Sequence, residues 1–198
     1  MKLLVHICCG PCAVYPLKKI LEGRMEVWGF FFNPNIHPYT EYRKRLEAVK
    51  ILADKMDIRM IYRDEYNLEE FLKNTVAIEA VRHGFSPAFS KPKGLPCNKP
   101  ARCLYCYSSR LEATAKAAKE NAFDYFSSSL LYSKYQDHEM IKKIGTGLSE
   151  KYGVSFYYED FRIGWKDGIK ESKDMGLYRQ QYCGCIFSEK ERYQSVLK

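Results

Sequence analysis

The chain has 198 residues, 46% hydrophobic and 28% charged, a composition ordinary for a globular protein and long enough to bury a full core without disulfides. No run of 18 or more apolar residues offers a helical membrane span, which argues against a membrane partner. Lysine and arginine (32) outnumber aspartate and glutamate (24), giving a net charge of +8 that favours a polyanionic partner such as nucleic acid.

The first strand is predicted at about residues 2 to 7, built on Leu3-Leu4-Val5, and it runs into three cysteines, Cys8, Cys9 and Cys12. The stretch from Met1 to His6 reaches that cysteine pair too soon for a signal peptide, so the expected location is the cytoplasm. In that reducing compartment, eight cysteines point to metal binding or redox catalysis rather than to structural disulfides. The spacing Val14, Leu17, Ile20, Leu21 predicts a helix closing near Gly23, followed by a strand at Met25 to Phe32. Strand, loop, helix and strand form a βαβ unit with a right-handed crossover.

The turn Asn33-Pro34-Asn35-Ile36-His37-Pro38 leads into a helix whose inner face is Leu46, Val49, Ala53 and Met56, with Arg43, Lys44, Glu47 and Lys50 opposite. A short strand at Ile58 to Tyr62 and a helix from Leu68 follow. Residues 84 to 100 hold Gly84, Pro87, Pro92, Gly94, Pro96 and Pro100, too many breakers for regular structure, and are read as a functional loop delivering Cys97, Cys103 and Cys106. A helix from about Tyr107 to Asn121, a strand from Phe123 to Leu131, a helix from Gln136 to Tyr152 and a strand from Val154 to Tyr158 complete the alternation. The expected fold is α/β, a mostly parallel doubly wound sheet in a single domain of residues 1–198, with a C-terminal extension over about 160–198. Ligands belong at the carboxyl ends of its strands.

Cys8, Cys9 and Cys12 occupy the place where related nucleotide-binding folds put a phosphate-cradling loop. Cys103 and Cys106 form a CxxC pair near a helix start, where the helix dipole favours thiolates. Together with Cys8 and Cys9 they offer four thiolates, the complement for a [4Fe–4S] cluster or a structural zinc, and the adjacent pair favours the cluster. Cys97 is left outside the site. Cys183-Gly184-Cys185 reads either as a strained, redox-active disulfide or as two more metal ligands. His6 is read as a satisfied core residue and Tyr15 as packing.

These motifs, His6-Ile-Cys8-Cys9-Gly10-Pro11-Cys12, Asn33-Pro34-Asn35-Ile36 with Tyr42-Arg43, Arg102-Cys103-x-x-Cys106 with Arg110-Leu111, Asp160-Phe161-Arg162 and Tyr178-Arg179-Gln180-Gln181-Tyr182-Cys183-Gly184-Cys185, together resemble the cobalamin-independent epoxyqueuosine reductase family over nearly the whole chain. The resemblance implies a fold like the adenine-nucleotide α-hydrolase superfamily, and reduction of epoxyqueuosine to queuosine in tRNA with an unidentified electron donor. It implies a [4Fe–4S] cluster on Cys8, Cys9, Cys103 and Cys106, Cys183 with Cys185 as a redox-active pair, and Cys12 as a candidate ligand of an additional mononuclear iron. Tyr178 and Tyr182 are then candidates to stack on, or donate a proton to, a splayed anticodon-loop base. Arg43, Arg102, Arg110, Arg162 and Arg179 become candidate phosphate contacts. Two alternatives compete: an iron–sulfur tRNA thiolation enzyme, which needs an ATP-binding loop after the first strand that this sequence replaces, and a zinc-stabilised RNA-binding module.

Overall fold

A computed structural model describes residues 1–82 and 101–194. Strand β1 (Lys2–His6) holds Leu3, Leu4 and Val5 with no exposed surface, the continuous apolar run of a strand covered on both faces. Burying each such side chain contributes about 1.5–3 kcal/mol. It pairs on one side with β2 (Glu26–Phe31) and on the other with β4 (Tyr125–Ser128), while β3 (Arg59–Tyr62) and the short β5 (Ser155–Phe156) lie outside them. Every pairing is parallel, and the order is β3-β2-β1-β4-β5. This is the expected doubly wound sheet. The order reverses between β1 and β4, the switch point where such sheets open a crevice beyond their carboxyl ends.

Helix α1 (Gly10–Glu22) packs against α2 (Tyr39–Met56), and α3 (Leu68–Arg82) against α4 (Ala101–Glu120), which also meets α5 (His138–Tyr152). Gly10 is required where α1 crosses α2, since a Cβ there would lie 2.7 Å from the Ala48 carbonyl oxygen. Two elements in the tail escaped the sequence reading: α6 (Trp165–Asp174), which packs on α1, and α7 (Ile186–Gln194). Among the described residues, no helix is long and apolar enough to cross a membrane.

The structure corrects two boundaries. Strand β4 ends at Ser128 rather than Leu131, because the Ser128 hydroxyl accepts the Leu130 N–H at 3.2 Å and turns the chain into a 3₁₀ helix over Ser129–Tyr132. Helix α4 begins at Ala101 rather than Tyr107. Cys103, Cys106 and Arg110 thus share one helical face at i, i+3 and i+7. Leu21, part of the apolar spacing that predicts α1, is 40% exposed.

His6 is fully buried and bonded, as expected: its Nδ1 lies 2.9 Å from Ser128 Oγ, and its Nε2 lies 3.2 Å from both the Phe32 oxygen and Asn33 Oδ1. Burial, reinforced by the Arg110 charge, lowers its pKa to about 4; burial alone lowers His37 to about 4. Since both fall below the ordinary 6.5, the unfolded chain takes up protons first. Their contribution is therefore complete above pH 6.5 and is lost as pH falls toward 4, by up to about 1.4 kcal/mol per pH unit for each histidine. Urea midpoints between pH 7 and pH 5 are expected to show this fall, and His37→Phe is expected to reduce its slope; an unchanged slope would contradict the assignment.

Candidate active site

The first cysteine loop sits at the switch point. Cys9, in extended conformation at φ −166°, precedes the first residue of α1, and Cys12 falls in the first turn, so all three thiols lie at the positive end of the helix dipole. The sulfurs of Cys8, Cys9 and Cys12 lie within 4.8 Å of one another, close enough to hold a metal ion. Ser129 fixes Cys8 from the other side of the crevice: its hydroxyl accepts the Cys8 N–H at 3.2 Å and donates to Cys8 Sγ at 3.4 Å. Hydrogen bonds from the Cys12 and Cys9 thiols hold Cys8 well below the ordinary thiol pKa, while the same sharing raises Cys12, and burial raises Cys9. Of the three thiols, Cys8 is thus the one most disposed to the thiolate form that a soft metal binds.

Cys103 and Cys106 stand on the first turns of α4, outside that close trio, but one guanidinium links the two groups. Arg110, 2% exposed, donates from Nη2 to Cys106 Sγ and from Nε to the Cys106 carbonyl, both at 2.9 Å. Its charge is felt by Cys106, Cys183 and Cys8. Among the described residues no carboxylate pairs with it. A buried cation needs an anionic partner, and sulfur is the partner this site offers. Burial otherwise raises the Cys106 thiol, against the opposing effect of Arg110.

The third thiol group arrives on a strap between α6 and α7. Arg45, 1% exposed on the inner face of α2, ion-pairs with Glu41 at 2.7 Å and donates to the Tyr182 and Cys183 carbonyls, each at 3.0 Å. Tyr178 donates to Glu41, Tyr182 to the His37 carbonyl, and the His37 N–H to the Gly184 carbonyl at 2.8 Å. Gly184 sits at φ +130°, where an added Cβ would also lie 3.0 Å from Arg45 Nη1. Cys185 is buried at the start of α7, its carbonyl accepting the Ser188 and Glu189 N–H groups, whereas Cys183 is exposed with Gln136 Nε2 at 3.6 Å from its sulfur. None of the seven described cysteines is in a disulfide.

Between the cysteine loop and the strap lies a cavity of about 560 Å³, lined by Cys8, Cys12, Cys183, Arg110, Gln180 and Trp165, among others. Most arginines proposed for phosphate contact are otherwise engaged. Arg43 pairs with Glu47 and Asp64, Arg102 with Glu191 and Arg162 with Asp160, and Arg110 is buried against Cys106. Arg179 lines the cavity. Tyr178 and Tyr182 have their hydroxyls committed to the strap, and Tyr15 packs beside Tyr132 at 6.3 Å. Cys97 and the breaker-rich loop over residues 84–100 lie outside the described residues. The sequence reading missed Arg45 and Glu41, although their i,i+4 spacing on the same face as Tyr42, Leu46 and Val49 marks an ion pair turned inward.

Soft sulfur donors beside a cavity at the switch point of a doubly wound sheet suit an α/β protein that binds a metal there. Residues 3–191 match the family model described as "Epoxyqueuosine reductase QueH". A protein of that name from Dehalococcoides mccartyi is 36% identical over 192 residues, covering 97% of this chain and 94% of the relative. Another, from Thermotoga maritima, is 37% identical over 192 residues, covering 96% and 91%. The chain belongs to the epoxyqueuosine reductase QueH family. In architecture it is similar to a solved structure described as a "predicted subunit of tRNA methyltransferase" from Methanocaldococcus jannaschii, with TM-score 0.53 at 11% identity over 87% of this chain and 74% of that one.

Proposed function

We propose that this chain reduces epoxyqueuosine to queuosine in tRNA, the last step of tRNA queuosine biosynthesis. Its cofactor in this reading is a [4Fe–4S] cluster on Cys8, Cys9, Cys103 and Cys106, with Cys12 placed to bind an additional iron. Residues 160–198 act with the sheet as one domain. The observation that carries the reading is Arg110, a buried cation bonded to Cys106 sulfur and within the field of Cys8, which suits a net-negative thiolate centre spanning both cysteine groups. The donor set suits such a centre, since Cys8, Cys9 and Cys12 stand at the start of α1 and Cys103 and Cys106 on the first turns of α4, with none of them in a disulfide.

Opening the epoxide to an alkene consumes two electrons and two protons and releases water. When bound, an iron–sulfur centre supplies electrons and Lewis acidity toward the epoxide oxygen. Cys183 and Cys185 supply the chain's own two-electron couple: two thiols give a disulfide, two protons and two electrons, and an external donor restores the thiols. Cys183 faces the cavity, and Gln136 donates toward its sulfur. Arg45 holds the strap that carries it.

The test is protein prepared without oxygen, given a chemical reductant and tRNA bearing epoxyqueuosine, with nucleosides analysed by mass spectrometry. Conversion to queuosine is expected, and Cys103→Ser is expected to lose both iron and conversion. Iron-loaded, reduced protein that leaves epoxyqueuosine intact would defeat the reading; a Cys103→Ser protein that keeps its full iron would defeat the ligand assignment.

A further inference from the structure

A file of aromatic rings runs from the core to the rim of the cavity. Tyr132, 2% exposed, stacks on Trp165 with ring centroids 5.1 Å apart and planes 27° apart, and its hydroxyl donates to the Trp165 carbonyl at 2.8 Å. Trp165 in turn meets Tyr135 edge-on, at 5.9 Å and 78°. Tyr135 is 73% exposed, yet it lines the same cavity as Cys8, Cys12 and Cys183. Lys134 places its ammonium 5.7 Å from the Trp165 ring centre, and Arg179 and Arg192 line the cavity too.

An aromatic ring this exposed, braced by Trp165, which itself rests on Tyr132, and sharing its cavity with cations, has the makings of a stacking platform for a nucleobase on a polyanionic strand. Resting on the reductase reading above, we propose that Tyr135, buttressed by Trp165, is the platform on which an anticodon-loop base stacks, thereby positioning the modified nucleotide over the thiols. Tyr135 acts through its ring face, and the surrounding lysine and arginines serve the adjacent phosphates.

The experiment measures binding of a labelled anticodon stem-loop RNA, with guanosine or epoxyqueuosine at the wobble position, by fluorescence anisotropy. Tyr135→Ala is expected to weaken binding by about 5- to 150-fold, the range associated with loss of one base–aromatic stack, and Tyr135→Phe to stay within about twofold of wild type. Because Tyr135 is exposed, both variants are expected to keep the wild-type thermal midpoint. The chain has two tryptophans, and Trp28 is bonded to Glu26 and packed on Phe123 at 5.8 Å. In Trp28→Phe protein, Trp165 emission therefore reports on the platform and is expected to be quenched on RNA binding. Wild-type affinity in Tyr135→Ala, equal weakening in Tyr135→Phe, or RNA binding that leaves Trp165 emission unchanged would each overturn the proposal. Binding and quenching without epoxyqueuosine reduction would uphold the platform and reject the reductase reading; reduction with unchanged Tyr135→Ala affinity would do the reverse.

Discussion

Replacing Cys183 by serine is expected to lower turnover by about 10³-fold or more while leaving iron content close to wild type. The first part follows from the proposed chemistry: a serine hydroxyl cannot form a disulfide with Cys185, so the two-electron couple proposed above would be lost, on the scale of removing an essential reacting group. The second follows from geometry. Cys183 lies outside the close trio of Cys8, Cys9 and Cys12, and the strap is fastened through the backbone carbonyls of Tyr182 and Cys183 rather than through the sulfur. A thiol-to-hydroxyl exchange leaves those bonds intact. Turnover with epoxyqueuosine-containing tRNA and iron content measured on the same preparation decide the matter. Near-normal turnover would remove Cys183 from the chemistry, and loss of iron would make it a ligand instead.

Arg45→Met is expected to cost about 3–5 kcal/mol of stability, because it leaves Glu41 as an unpaired buried charge. The pair is almost dry, with side-chain exposures of 1% and 8%. The substitution also strips two donors from the strap carbonyls, so proteolysis within residues 178–185 is expected to quicken. Adding Glu41→Gln removes the stranded charge and is expected to restore part of the loss, giving a non-additivity of about 0.5–3 kcal/mol. Urea unfolding of wild type, both single variants and the double variant measures the cycle. A loss below about 1 kcal/mol, the size of an exposed ion pair, would mean that Arg45 does not hold the strap as the geometry indicates.

The sheet was legible because strands buried on both faces leave near-continuous apolar runs, as Leu3-Leu4-Val5 and Met25 to Phe32 do. The thiol groups were legible because cysteines are sparse and these fall at strand ends and helix starts. Helices α6 and α7 were not. Both are short; α7 has no buried residue, and in α6 the inward face rests on Trp165 and Ile169 beside the small residues Gly168 and Ser172, too few apolar side chains among Lys166, Asp167, Lys170, Glu171, Lys173 and Asp174 to announce a helix. The Arg45 bond to the Cys183 carbonyl spans 138 positions and ends on a backbone atom, so side-chain chemistry could not announce it. Arg110 was read with four other arginines as a candidate phosphate contact, weighed against a surface or structural ion pair. Its i,i+4 relation to Cys106 was the available signal, and starting α4 at Tyr107 hid it.

Thiols from the end of β1 and the start of α4 are proposed to hold an iron–sulfur centre jointly. The most direct test is the iron, zinc and acid-labile sulfide content of protein purified without oxygen, for wild type and for Cys106→Ser. The account predicts about four irons and matching sulfide per chain in the wild type, the content of a [4Fe–4S] cluster, and loss of both in the variant. A single zinc without sulfide, unchanged by Cys106→Ser, would contradict it and leave Cys8, Cys9 and Cys12 as a separate metal site.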